Sequence, residues 1–381
     1  MPWETVNVVE QRIRFIALAE ARIMPFSELC AQFKISRTTG YKWVERTKDV
    51  LLANALCDRS RRPRLSPGKT PSDIEKALVA LRKERPYWGA RKIAVLFSER
   101  YPGYTCPGER TINRIFARND LLGDTSPQGV AYNRFEYEHP NDLWQMDYKG
   151  EFLYDGKHYC YPLDVLDDHS RYNIMLDVHL KIGHDETRAS LTGAFRRYGL
   201  PHRMLMDRGQ VWYAAQASLH WTRLTVWLMK LGIELIHSRG RHPQTLGKAE
   251  RFHRTLKYDL IKRTTFNSFD DVQNKFNVFR DEYNHLRPHD GIGLKRPAEI
   301  YEVSTVPFTD KEPTIEYPAG SIVKRLTPKG MLCYKGHYWF ICESLPSEYV
   351  MLIEKEHGID VYFNKTHVRT VNLNTDTTSR V

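Results

Sequence analysis

Apolar and polar residues recur along this chain with two different periods, and the change comes near residue 142. Ahead of it the spacing is helical. Ile13, Ile16 and Ala17 fall on one face of a first helix, and Ser27 is placed to cap a short second helix ending at Phe33. Ser36 caps a third, which runs through Trp43 to Arg46. Two short helices joined by a tight turn predict a helix-turn-helix whose last helix exposes Arg37, Thr38, Lys42 and Arg46. Residues 70–122 repeat the theme: Ile74, Leu78 and Leu81 share a face, a second helix begins at Pro86, and a third from Cys106 presents Arg110, Asn113 and Arg114.

Beyond residue 142 the period is that of strands. Leu143 to Phe152, His158 to Val165 and Arg171 to Leu180 are rich in aromatic and β-branched residues, and short turns separate them, so they predict an antiparallel meander. A helix (Asp185 to Tyr198), a strand (Arg203 to Met206), a Trp-rich helix (Leu219 to Leu231), a strand (Ile233 to His237) and a helix from Gly247 to about Ile261 follow. Three strands and then alternating helices and strands is the ribonuclease H order of elements. Residues 320–372 alternate short strands and turns, which predicts a small β-barrel or sandwich.

The expected organisation is multidomain, α and α/β. A helix-turn-helix spans 1–58, a basic linker 59–70, a second helix-turn-helix 71–123 and a linker 124–141. A ribonuclease H-like core with a mixed sheet flanked by helices then occupies 142–301, a linker 302–319, and a small β-barrel with its tail 320–381.

Charge sharpens this picture. The formal charge is +11, and residues 1–64 hold 12 Lys/Arg against 7 acids. Such an excess in a small head suits a polyanion, most simply nucleic acid. The run Arg59-Ser-Arg61-Arg62-Pro-Arg64 is extended by its Pro and can follow a phosphate backbone or enter a minor groove. No stretch near 18 uncharged apolar residues exists, and Glu10, Arg12 and Arg14 break the N-terminal text. A membrane span and a signal peptide are therefore not expected, and a cytoplasmic, nucleoid-associated place is. The six cysteines form no C-x₂-C pair, which argues against a zinc knuckle or a disulfide framework.

Three acids carry candidate chemistry. Asp147 interrupts an apolar strand, on the opposite face from Trp144, Met146 and Tyr148. Burying an acid there is costly unless it is paired or binds a metal. Asp207 ends the apolar run Met204-Leu205-Met206, at the carboxyl end of a strand. Glu250 lies one turn into a helix, on one face with His253, Arg254 and Lys257. Hard oxygen ligands of this kind suit Mg²⁺ or Mn²⁺. Asp164, Asp167 and Asp168 cluster near a turn, and turn chemistry accounts for them.

Trp-Gln-Met-Asp147, Met-Asp207-Arg-Gly and His-Pro-Gln-Thr-Leu-Gly-Lys248-Ala-Glu250-Arg-Phe-His253-Arg254-Thr-Leu-Lys257 together resemble the integrase-core transposases of bacterial insertion sequences, relatives of retroviral integrases. Tyr283-Asn-His-Leu-Arg-Pro-His289 and Pro297-Ala-Glu-Ile-Tyr301 resemble the segment that closes such cores. The resemblance implies two divalent ions held by Asp147, Asp207 and Glu250, with Lys257 as a DNA-contacting base; Lys248, His253 and Arg254 are further candidates for DNA contact on the same helix. It also implies binding to terminal inverted repeats, strand cleavage, and transfer of the freed ends to target DNA by a dimer or larger homo-oligomer. Two departures stand out: Arg208 replaces an Asn common after the second acid, and Glu250 lies 43 positions beyond Asp207, longer than is usual. The extra length falls in 211–230, expected to form an added helix or a flap. The chief alternative is a DNA-binding regulator with an idle core. A nuclease acting on RNA–DNA hybrids would leave the two sequence-reading modules without a purpose.

Overall fold

The computed structural model describes residues 7–48, 56, 58, 68–122, 136–214, 221–238 and 246–373. The basic run with Arg59, Arg61, Arg62 and Arg64 lies outside them, as does part of the Trp-rich insertion. The chain divides into two compact units, Met1–Lys69 and Thr70–Val381.

The first unit is helical: α1 (Val8–Ala21), α2 (Phe26–Gln32) and α3 (Arg37–Lys48). Phe15, Ile16, Leu29, Cys30 and Trp43 are its buried core. Ser36 caps α3 as expected, its Oγ accepting from the Thr39 amide at 3.1 Å. Ser27 does not cap α2; the helix starts at Phe26 behind Pro25, with no side-chain cap. Gly40 sits where α3 presses on its neighbours, and a Cβ there would stand 2.7 Å from Cys30 Sγ and 3.0 Å from the Phe15 ring. Arg37, Thr38 and Lys42 are exposed along α3, whereas Arg46 is half-buried with its guanidinium over Trp43.

The second unit begins with α4 (Ser72–Glu84), α5 (Ala90–Arg100) and α6 (Glu109–Arg118), packed around Leu78, Ile93, Phe97, Ile112 and Phe116. Arg110, Asn113 and Arg114 are exposed on α6. Next come β1 (Trp144–Tyr148), β2 (Phe152–Leu153), β3 (Tyr159–Asp167), β4 (Asn173–His179), α7 (His184–Tyr198), β5 (Arg203–Met206), α8 (Arg223–Lys230), β6 (Glu234–His237), α9 (Gly247–Asp259) and α10 (Phe269–His285). The sheet order is β2-β3-β1-β5-β6 with β4 also on β3. β1, β3 and β4 are antiparallel neighbours, while β5 joins β1 and β6 joins β5 in parallel. This is the expected mixed sheet. Side-chain alternation divides its two faces. Trp144, Met146, Leu163, Val165, Met204 and Met206 pack with residues of α7 and α8, and Leu143, Leu166 and Leu205 pack with those of α9 and α10.

Residues 136–142, read from the sequence as the end of a linker, are drawn onto this sheet. Asn141 is buried, its amide donating to Asp167 Oδ2 at 2.7 Å and its side chain to the Glu302 carbonyl at 2.8 Å. At the C-terminal end, β7 (Ile322–Arg325), β10 (Tyr349–Lys355), β11 (Gly358–Phe363) and β12 (Thr366–Asn372) form an antiparallel sheet in the order β12-β11-β10-β7. β8 (Met331–Tyr334) and β9 (His337–Phe340) form a separate hairpin. Among the described residues these strands do not close, so the expected barrel is replaced by an open sheet and a hairpin. Their buried side chains run on from those around Trp144, and Asn364 and Ser344 bond the Met229 and Trp221 carbonyls. No described helix is long and apolar enough to cross a membrane.

Candidate active site

Strand register brings two of the three candidate acids together. Met146 lies beside Met206 in the parallel pair, so Asp147 and Asp207 follow at adjacent carboxyl ends of β1 and β5. The antiparallel register sets Asp147 directly opposite Asp164 on β3. Both of those side chains belong to the face covered by α9, and His253 of α9 reaches between them. Its Nε2 bonds Asp164 Oδ1, and its Nδ1 stands 3.8 Å from Asp147 Oδ2.

The electrostatics follow from this crowding. Burial pushes the Asp147 carboxyl up to about 7; the charges of Asp164 and Asp207 add to the rise, and His253 opposes it. Asp164 is wholly buried and its carboxyl is also raised, first by burial, against the pull of His253. Burial would lower the imidazole, but Asp164 and then Asp147 outweigh it and raise it. Asp164 Oδ2 has no hydrogen-bond partner among the described residues. An unpaired buried carboxylate oxygen is costly, so the cluster resists holding both carboxylates ionised unless a further cation joins it.

Asp207 is held differently. Its Oδ1 accepts from the Gly209 amide and from the Trp212 indole N–H, both at 2.7 Å. A Cβ on Gly209 would come within 2.9 Å of that same oxygen, which explains why the tight turn needs glycine here. The Trp212 ring stacks on Tyr148 of β1 with centroids 5.7 Å apart, and the Tyr148 hydroxyl meets Thr187 Oγ1 at 2.9 Å. Arg208, the departure from the expected Asn, donates to the Ser238 carbonyl at 3.2 Å and covers the Tyr213 ring.

Glu250 is exposed on the first turn of α9. Around it the helix is tied to the sheet. The Ala249 amide donates to Gln145 Oε1 at 3.4 Å, and Lys248 Nζ pairs with buried Asp168 at 2.5 Å. Asp168 also accepts from Gln145 Nε2 at 2.8 Å. Lys248, expected near DNA, is thus engaged within the fold, and so is His253. Arg254 and Lys257 are exposed on α9. Among the described residues no group of three or more His, Cys, Asp or Glu is arranged to hold a metal ion.

Sequence reasoning passed over Asp164, which is not a turn residue but the cross-strand partner of Asp147. The signal was present: an acid within Tyr161-Pro-Leu-Asp164-Val-Leu breaks an apolar strand as Asp147 does. Asp167 is structural, its Oδ1 accepting from the Ser170 amide and hydroxyl at 2.8 and 2.6 Å.

Comparison with known proteins places integrase-core similarity over this mixed sheet. Residues 137–243 and 231–297 match two family models, each described as an integrase core domain, and residues 39–116 match a homeodomain-like domain. An uncharacterized 39.2 kDa protein of insertion element IS476 from Xanthomonas euvesicatoria is 24% identical over 245 residues, 62% of this chain and 67% of its own length. An uncharacterized 31.7 kDa protein of insertion element IS407 from Burkholderia multivorans is 23% identical, over 58% of this chain and 78% of its own. Among solved structures, the magnesium-bound catalytic core domain of HTLV-2 integrase aligns with a TM-score of 0.33 and 18% identity, over 43% of this chain and 98% of its own. Residues 137–297 are thus similar to integrase core domains, and the chain is similar to proteins of bacterial insertion elements.

Proposed function

We propose that this protein is a DNA transposase that binds the terminal inverted repeats of an insertion sequence, cleaves there, and transfers the ends into target DNA. The observation that carries the reading is the pair Asp147 and Asp207 at adjacent strand ends, with Asp147 crowded by further carboxylate. An excess of buried negative charge is what a divalent cation relieves.

The donor set fits Mg²⁺ or Mn²⁺: carboxylate oxygens, with no thiolate among the candidates. Asp147 and Asp207 would hold the metal, with Glu250 supplied from α9. Two such ions, when bound there, would activate a water or 3′-hydroxyl and stabilise the leaving oxygen of an in-line displacement. The chain's own residues do the rest. Gly209 and Trp212 fix one oxygen of Asp207 and leave the other for a ligand. Lys248, Gln145 and Asp168 fasten the start of α9 beside Glu250. Arg254 and Lys257 offer cations to phosphates, and Arg37, Thr38 and Lys42 on α3, with Arg110, Asn113 and Arg114 on α6, are suited to read or position a duplex. Arg59, Arg61, Arg62 and Arg64 add charge for the backbone. Joining two ends at one target calls for at least a homodimer on DNA, acting in the cytoplasm at the nucleoid.

The test is cleavage of a duplex that carries one end of the element, compared with a scrambled end, with Mg²⁺ and with chelator. Specific nicking that needs Mg²⁺ and is lost in Asp207→Asn is expected. Specific binding without metal-dependent nicking would turn the reading to a regulator with an idle core.

A further inference from the structure

Asp164 enters the chemistry above only by crowding Asp147, and its bond to His253 is given no role there. Apolar contacts of Ala249, Phe252 and Leu256 hold α9 on the sheet. Such contacts are non-directional and leave the rotation and axial slip of a helix loosely specified. Directional contacts must set them; Asp259 at the far end of α9 pairs with Arg287, and three more tie the helix to the sheet and the turn after β3. Two lie at the start of the helix, Lys248 to Asp168 and the Ala249 amide to Gln145. The third is one turn further on, where His253 joins Asp164 on β3 and approaches Asp147 on β1.

Glu250 falls between these anchors, two residues after Lys248 and three before His253, on the helix side that His253 shares. We propose that His253, held by Asp164, is a positioning residue that locks α9 in the rotation that brings Glu250 to the metal held at Asp147. This rests on the reading of Asp147, Asp207 and Glu250 as ligands. The pair is well placed for the task. Asp164 lies on a central strand, wholly buried, and faces Asp147 residue for residue. An imidazole seated between two carboxylates ties the helix to both strand positions at once. A group that served the core alone would gain nothing from reaching Asp147 as well. An apolar pair of similar volume would satisfy the core without the desolvation cost of a buried acid.

The experiment uses the full chain and two metal readouts. Mn²⁺ affinity is measured from the free-ion paramagnetic resonance signal, and the half-saturating Mg²⁺ is measured in cleavage, separately from kcat. His253→Gln keeps a side-chain donor for Asp164. The double variant His253→Leu, Asp164→Leu removes both polar partners and strands no buried charge. Thermal melts establish that each is folded. The double variant is expected to bind Mn²⁺ about 10–100-fold more weakly and to need correspondingly more Mg²⁺. His253→Gln should stay within about threefold of the parent, well inside that loss. A loss of stability alone would lower kcat through the folded fraction and leave half-saturation unmoved. A folded double variant with parental Mn²⁺ affinity and half-saturating Mg²⁺ overturns the inference while the ligand reading stands. A parent chain that binds no Mn²⁺ overturns the ligand reading, and the inference with it.

Discussion

Asp147 and Asp207 end neighbouring parallel strands, but their surroundings are opposite in kind. Asp147 faces another acid across the sheet and is pushed up to about 7 by burial and by like charge. Asp207 is gripped by two donors at 2.7 Å, one from backbone and one from an indole. Donors fix the direction of a carboxylate; like charge raises the cost of ionising it. Register therefore delivers both acids to one place, and the local environment sets them apart, one oriented by donors and one resisting ionisation.

The largest effect to expect is on catalysis, where the two should be alike. Asp147→Asn and Asp207→Asn each remove a ligand charge, a loss of about 4 kcal/mol or about a thousandfold in Mg²⁺-dependent cleavage. If either variant cleaves within tenfold of the parent, that acid is not a ligand.

Stability should separate them. The folded Asp147 carboxyl near 7 lies above the value of about 3.9 in an unfolded chain. Between those values the folded chain keeps a proton that the unfolded chain releases. Its contribution is thus fully present below about 3.9 and is lost as pH rises through 7. In chelator at pH 8, Asp147→Asn should be more stable than the parent, on the order of 2–4 kcal/mol, and the gain should vanish toward pH 4. Asp207→Asn, which weakens two charge-assisted hydrogen bonds, should be less stable by about 1 kcal/mol. Thermal melts of both variants across pH check this, and shifts of the same sign would erase the contrast.

Trp212 tests the oriented half of the comparison. Trp212→Phe keeps a ring for Tyr148 but removes the indole donor to Asp207. Cleavage should fall about 10-fold and half-saturating Mg²⁺ should rise, as expected of a group that orients a ligand. Arg208→Ala, which alters a contact to the Ser238 carbonyl, should do less. Equal effects from the two would remove the special place given to the indole.

Much of this was legible in the sequence, for identifiable reasons. The strands of the core were readable because buried parallel strands such as Arg203–Met206 are short apolar runs, and Asp147 was readable as an acid out of place in one. Partners brought in from far along the chain were not. The imidazole at Asp164 comes from 89 residues away, and no periodicity reveals such a meeting. Trp212 is only five residues beyond Asp207, but its use depends on the turn at Gly209. The long helix α10 escaped notice although Ser268 caps it and Val272, Phe276, Phe279 and Tyr283 mark its buried face at helical spacing. The barrel was overread, because alternation identifies strands and does not say whether their edges meet.

The smallest effect concerns the cations beside Asp147. Lys149, just beyond β1, is half-buried, and its pKa is lowered first by burial and then by the charge of Lys257 on α9. Neither lysine has an ion-pair partner among the described residues. Two ammonium groups held together repel, and a bound phosphate would reverse the sign of that interaction. Lys257→Gln should therefore weaken binding by about the same factor on specific and scrambled duplexes, and should lower the salt slope of log K by about 1. The same change at Arg110 or Asn113 on α6, if those side chains touch base edges, should cost affinity only for the specific end. Anisotropy titrations of both duplexes at several salt concentrations separate the two behaviours. A Lys257 variant that loses affinity for the specific end alone would mean that this lysine reads sequence, and that the cationic edge of the carboxylate site is more than a phosphate rest.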